Sequence, residues 1–241
     1  MQWSDRGIVL SVKCLGESSG VVHLLTPTHG MCAGVDKGAF SRGKRGIYQP
    51  GNIVEAQWKA RLAEHLGMLS SELTQATAAH LLHSRHKLAA LTSATKLTEK
   101  MMAERDAQPD VYAAMEALIQ ALCEGDDWLA QYVRLEYTLL ACAGFRLDLE
   151  RCASTGQEHD LIYVSPKSGR AVSRGAGEPY RERLLNLPAF MMADAQNVVA
   201  DMLQILDGLR LCGHFLHARV FAPRGIPVPA ARAHFIEALQ A

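Results

Sequence analysis

The hydrophobic period of this chain changes near residue 75, and that change limits its fold more than any other feature. Before it come five short runs with β-branched or alternating character: "GIVLSVKCL" from Gly7, "VVHLLTP" from Val21, "MCAGV" from Met31, "GNIVEAQWKA" from Gly51 and "LGMLSSELTQA" from Leu66. Glycine or proline stands at their junctions, which breaks the run into strands and turns. Five strands this short within about 75 residues fit a small closed barrel. From Thr77 the pattern becomes helical. Leu81, Leu82, Leu88, Leu91 and Leu97 recur at helical spacing, and "DVYAAMEALIQALCE" and "DWLAQYVRLEYTLLACAG" follow with aspartates placed to cap them and Gly144 to end the second.

These periods predict an α+β protein with a barrel over 1–75 and a helical domain over 76–241. Residues of about 145–187 interrupt the helices with two short β-like runs, Leu161–Val164 and Ala171–Ser173, and read as a hairpin insert. Helices are expected again at about 194–206, 207–219 and 229–240. The plain reading of the leucine stripes is a helical core.

Twenty-five Lys and Arg balance twenty-five Asp and Glu, so overall charge gives no reason to expect nucleic acid. Distribution does. Residues 1–61 carry eight basic against four acidic side chains, whereas residues 99–127 carry two against eight. The opening, "MQWSDRGIVL", has neither the basic start nor the apolar run of a secretion signal, and no run approaches membrane-spanning length, so a cytoplasmic location is expected. Six cysteines are scattered without a C-x-x-C pair, which favours reduced thiols over a disulfide framework.

Within the basic front, Gly38 to Arg45 reads "GAFSRGKR", one residue away from the phosphate-binding pattern G-x-x-x-x-G-K-[ST]. A nucleotide loop needs a hydroxyl for Mg²⁺ and a helix starting at its lysine. Arg45 replaces the hydroxyl, and Pro50 with Gly46 and Gly51 prevents a helix. What remains is a flexible, glycine-rich loop bearing Lys37, Arg42, Lys44 and Arg45, suited to a phosphate backbone, with Phe40 and Tyr48 as stacking faces. A solvated hairpin with incidental charge is the simpler alternative.

Other constellations point less clearly to chemistry. His80, His83 and His86 share a probable helix at metal-compatible spacing, yet no carboxylate is in register, and a polar face explains them. Cys212, His214 and His217 would need a further ligand from elsewhere. No G-x-S-x-G or H-E-x-x-H motif occurs, and the Asp126–Asp127 pair reads as a helix cap, so no catalytic residue is assigned.

Several phrases in order, "GESSGVVHLLTPTHG" from Gly16, "DKGAFSRGKR" from Asp36, "QPG" at 49–51 and "LEYTLLACAGFRLDLERCASTG" from Leu135, resemble the RecO family of bacterial recombinational repair proteins. The resemblance implies an N-terminal OB-fold barrel, a helical domain and a small zinc-finger-like insert. It implies activity without turnover: binding single- and double-stranded DNA, annealing strands and, with RecR, helping RecA load onto DNA coated by the single-stranded DNA-binding protein SSB. It also places the protein in the cytoplasm, associated with the nucleoid. The basic loop matches the family's barrel segment for DNA.

The sequence departs from that pattern in the insert. Many family members hold zinc there through two C-x-x-C pairs, but here only Cys152 remains, with Thr155 at the second position and no cysteine in "GRAVSRG". A metal-free insert is expected, supported by packing of Ile162, Tyr163, Val164 and Val172, and no cofactor is assigned. The family also docks the acidic, Phe-ended SSB tail on its helices. Arg134 is the candidate cation and Leu135 and Leu139 the candidate pocket walls. An OB module for single strands or RNA carrying an unrelated helical domain is the alternative function, and a metal enzyme built on the histidines is a third.

Overall fold

The computed structural model describes residues 1–62, 65–125, 127–192 and 199–240. The chain forms two compact units, Met1–Glu124 with Pro229–Ala241, and Gly125–Val228.

The first unit is built on a closed five-stranded barrel: β1 (Gln2–Leu15), β2 (Ser19–Thr26), β3 (Gly30–Asp36), β4 (Ile53–Lys59) and β5 (Gly67–Gln75), in the order β1-β2-β3-β5-β4. All neighbours are antiparallel except β3 and β5, which pair in parallel through Gly34 with Gly67 and Val35 with Met68. This is the OB-fold arrangement. All five strand-like runs are strands, although β1 begins at Gln2, where "QWSDR" carries too many polar residues to announce a strand. Strict inside-outside alternation also lapses in β1, where Ile8, Val9, Leu10 and Ser11 are all buried. There α2 (Arg85–Met101) packs against the strand, so both of its faces are covered.

Val9, Val22, Leu24, Val54, Ala56, Trp58 and Leu69 form the barrel core. Trp58 lies so close to β5 that a side-chain carbon on Gly67 would overlap its ring, which is why glycine stands there. The helices of this unit are α1 (Thr77–His80), α2, α3 (Pro109–Glu124) and α7 (Ala230–Gln240), with α7 packed on α2. Ser84 caps α2 by accepting from the Lys87 backbone N–H. Asp110, by contrast, lies inside the first turn of α3 after Pro109, so it favours the helix dipole instead of capping.

The second unit contains α4 (Trp128–Cys142), α6 (Met202–Phe215) and the insert. The insert forms a three-stranded sheet, β7 (Ala171–Ser173), β6 (Leu161–Val164) and β8 (Leu185–Asn186) in spatial order, with α5 (Arg174–Gly177) leading on from β7. Both expected runs are strands, and β8 adds a third. The two expected helices over 194–206 and 207–219 are replaced by one, α6, which continues as a π-helical stretch over Leu216–Phe221. Asp201 starts it by accepting from the Gln204 N–H, and the stripe Ile205, Leu209, Cys212 and Phe215 passes through residue 207 without a break. Residues 194–198 of the expected first helix, and Asp126, lie outside the described residues. Asp127 stands at the N-cap position of α4 with φ 41° and makes no side-chain cap bond.

Candidate nucleic-acid interface

The basic segment is the connection between β3 and β4, residues 37–52, and it is an ordered chain of turns, correcting the expectation of a flexible loop. Backbone N–H groups of Ser41, Lys44, Arg45 and Ile47 donate to the carbonyls of Gly38, Ser41, Ser41 and Lys44 at 2.9 to 3.1 Å. The Phe40 N–H reaches across to the Ser18 carbonyl at 3.0 Å, and Asn52 donates from its amide to the Gly46 and Ile47 carbonyls. The succession ends at Gly51, whose φ of 85° and close approach to the Leu91 side chain leave no room for a side chain.

One residue organises the segment. Asp36, 2% exposed at the end of β3, accepts from the Tyr48 hydroxyl at 2.6 Å, the Lys44 ammonium at 2.7 Å and the Gly38 N–H at 2.7 Å. Burial alone raises its pKa, but the bonds from Lys44, Tyr48 and Gly38 outweigh burial and hold the carboxyl below its ordinary value. Burial and the facing carboxylate in turn push the Tyr48 phenol well up. Asp36 has no place among the residues singled out from sequence. The signal available was an aspartate followed two positions later by glycine at a strand end, the pattern of an Asx turn.

This geometry separates the six nucleic-acid candidates. Lys37, Arg42 and Arg45 are exposed, and Lys44 is half-buried against Asp36. Tyr48 is 1% exposed and belongs to the barrel core, so its expected role as a stacking face is corrected: both its ring and its hydroxyl are already engaged. Phe40 is partly buried against the same core, with its ring edge over Gly20 of β2. The connection is therefore apolar underneath, where Ala39, Phe40, Ile47 and Tyr48 seal the barrel, and cationic on top.

Two family profiles divide the chain between them: "Recombination protein O N terminal" matches residues 1–77 and "Recombination protein O C terminal" matches residues 82–225. The chain belongs to the RecO family. A protein named DNA repair protein RecO from Rhodospirillum rubrum is 47% identical, with 100% of this chain and 97% of the relative covered. Proteins of the same name from Rhodospirillum centenum and Rhodopseudomonas palustris are 46% and 45% identical, covering 98% and 99% of this chain and 94% and 96% of theirs. The C-terminal match removes the alternative in which a barrel carries an unrelated helical domain.

In this RecO chain the candidate partner residues lie on α4. Leu135 and Leu139 are each 1% exposed in the core of the second unit, so their expected role as walls of an open pocket is corrected. Arg134 is half-buried. Its guanidinium is 3.7 Å from the Asp127 carboxylate, donates to the Phe190 carbonyl at 3.4 Å and lies 6.0 Å from the centre of the Phe190 ring. One turn along α4, Tyr137 borders a cleft of about 690 Å³ with Arg146, Met191 and Met192.

The histidines do not share a helix. His80 ends α1, His83 lies in a turn and His86 is in the first turn of α2, because Ser84 caps a new helix between them. Cys212 is buried on α6, while His214 pairs with the Pro166 carbonyl at 3.2 Å, so each is committed separately. Among the described residues no group of three His, Cys, Asp or Glu side chains is placed to hold a metal. In the insert, Cys152 is buried and its sulfur accepts from the Ser173 N–H at 3.3 Å and hydroxyl at 3.4 Å, linking the loop to β7. Tyr163, Val164 and Val172 are buried beside Leu161 and Ala171, while Ile162 is only partly so. No helix among the described residues is long and apolar enough to cross a membrane.

Proposed function

We propose that this RecO-family chain acts in DNA repair and homologous recombination as a mediator without turnover. It binds single- and double-stranded DNA, anneals complementary strands and, with RecR, helps load RecA onto SSB-coated single strands. The observation that carries the DNA-binding part is the set of exposed cations, Lys37, Arg42 and Arg45, on a hydrogen-bonded connection of an OB barrel. An ordered platform presents charge to phosphates with less ordering cost than a mobile loop. The protein works in the cytoplasm with the nucleoid.

Arg134 serves as the cation for the SSB tail carboxylate, and the buried Leu135 and Leu139 do not wall the receptor for its aromatic ring. Fluorescence anisotropy with a labelled single-stranded oligonucleotide tests the DNA reading. Arg42→Glu with Arg45→Glu should weaken binding to every sequence and lower the salt slope by about one per lost phosphate contact. Unchanged affinity and slope would remove the connection from the DNA site.

A further inference from the structure

Two local electrostatic preferences are broken beside one cleft of the first unit. Glu55 of β4 and Glu72 of β5 are direct cross-strand partners and both are exposed, an arrangement in which like charges oppose strand pairing. Helix α3 carries Asp110, Glu116 and Glu124 with no lysine or arginine along its length. Glu124 is its last residue, at the end where the helix dipole disfavours negative charge. Natural proteins break such preferences chiefly at functional sites.

The cleft, about 380 Å³, lies between the barrel and α3. Its lining joins the buried Ile53 and Ile119, the exposed Ala113 and Ala117 one turn apart on α3, and the carboxylates of Glu116 and Glu124. Cations of the chain itself are already drawn to this helix. The Arg6 guanidinium on β1, cross-strand partner of Glu55, reaches the Glu116 carboxylate at 2.9 Å, with the two side chains 47% and 39% exposed. At the C-terminal end the Lys87 ammonium donates to the Leu122 carbonyl at 2.7 Å, and the His80 ring lies 3.3 Å from the Cys123 carbonyl. One turn before Glu116, the Tyr112 hydroxyl is buried and among the described residues has no hydrogen-bond partner. Burial and the Glu116 charge push this phenol up to about 12, so the field beside the cleft stays negative in spite of Arg6.

We propose that this cleft docks a basic, partly apolar segment of a partner protein, one of whose lysine or arginine side chains lies over Ala113 and Ala117 and takes Glu116 in place of Arg6. A cation on an aliphatic stem matches both halves of the lining, because the stem covers apolar surface while the charged end meets the carboxylates. Arg6 is the internal stand-in for that cation. An ion pair as exposed as Arg6 with Glu116 adds little stability, so exchanging one guanidinium for another costs little. The cleft volume falls within the range of about 300 to 1,000 Å³ typical of sites that enclose a ligand group. The same carboxylates repel a phosphate backbone, so this surface is separate from the cationic connection over 37–52, and the inference stands apart from the DNA reading.

The test uses the full chain and a short labelled peptide alternating leucine and arginine, read by fluorescence anisotropy beside the same peptide with glutamine for arginine. Only the arginine peptide should bind. Glu116→Gln with Glu124→Gln should weaken it about tenfold. Ala117→Leu, which keeps every charge but fills the cleft, should weaken it as much. Arg6→Gln, which frees Glu116, should tighten it about threefold. Glu104→Gln with Asp110→Asn, two carboxylates outside the lining, should leave it within about twofold of wild type, and oligothymidylate should bind the cleft variants as it binds wild type. Circular dichroism checks folding, and every substituted side chain is exposed or partly so. Equal loss from the Glu104 and Asp110 pair would show diffuse attraction to negative charge and overturn the site. Peptide binding unmoved by Ala117→Leu, or weakened by Arg6→Gln, would overturn it too. Displacement of the peptide by oligothymidylate would assign the cleft to DNA, and failure of the arginine peptide to bind wild type would remove the docking role.

Discussion

The Ser11 hydroxyl donates to the Glu99 carboxylate at 2.7 Å, joining β1 of the barrel to α2 across 88 residues of sequence. Lys96 at 2.9 Å, Lys13 at 3.3 Å and His23 at 3.8 Å surround the same carboxylate. Burial raises the Glu99 pKa, but the bonds from Ser11 and Lys96 and the charge of Lys96 more than reverse this, bringing it down to about 2. A carboxyl whose folded pKa is depressed adds stability above its unfolded pKa and loses it as pH falls through the folded one. The Glu99 contribution, up to about 3 kcal/mol at neutral pH, should therefore disappear between about pH 5 and pH 2. Urea denaturation of wild type and Glu99→Gln across that range should show the two curves converging in acid. Parallel curves would show that Glu99 is not the titrating link.

The Asp36 anchor makes Tyr48 a structural residue. Tyr48→Phe removes one buried bond to a charged acceptor and should cost about 1.5 to 3 kcal/mol of stability, while leaving single-strand affinity close to wild type once the protein is folded. Chemical denaturation and anisotropy on the same samples separate the two effects. A large affinity loss at unchanged stability would restore Tyr48 as a contact for DNA.

Neighbouring cations should behave differently. Lys44 is spent partly on Asp36, whereas Arg45 is exposed. Lys44→Gln should lower stability and change the salt slope of DNA binding little. Arg45→Gln should keep stability within about 0.5 kcal/mol and lower the slope by about one unit. Equal effects of the two on binding would mean that the Asp36 pairing opens when DNA is bound.

Gly67 faces Trp58 without room for a methyl group. Gly67→Ala should cost about 1 to 3 kcal/mol through displacement of the indole and should shift tryptophan emission. A melting temperature and an emission maximum both identical to wild type would show that the strands part easily at this point.

The insert should hold without metal. The only cysteine of the expected zinc pattern, Cys152, spends its sulfur on Ser173, and the sheet around it is closed by Leu161, Val164 and Ala171. Elemental measurement on purified protein should find no stoichiometric zinc, and chelator should leave the melting curve unchanged. Zinc at one equivalent would require ligands from outside the insert.

The strands of the barrel could be read from sequence because short β-branched runs stand between glycines and prolines, although β1 breaks the alternation where α2 covers it. β6 and β7 were legible for the same reason, as "LIYV" and "AVS" stand between turns. The exceptions share one physical cause, contacts made far along the chain. Tyr48 looked like a surface aromatic because its partner, Asp36, lies across a run of turns whose course no local period encodes. Leu135 and Leu139 looked like pocket walls because a helical stripe shows which face is apolar but not whether that face is covered.

Pairing of α7 with α2 has a consequence during synthesis. The first unit is made of Met1–Glu124 and the segment from Pro229 onward, so its final helix leaves the ribosome only after the entire second unit has been translated. Until then the nascent chain carries α2 with the site of Phe235 uncovered, and that exposed apolar surface makes the interval a point at which chaperones or proteases can intervene. A polypeptide halted before Phe235 would carry every strand of the barrel and still leave that face of α2 bare.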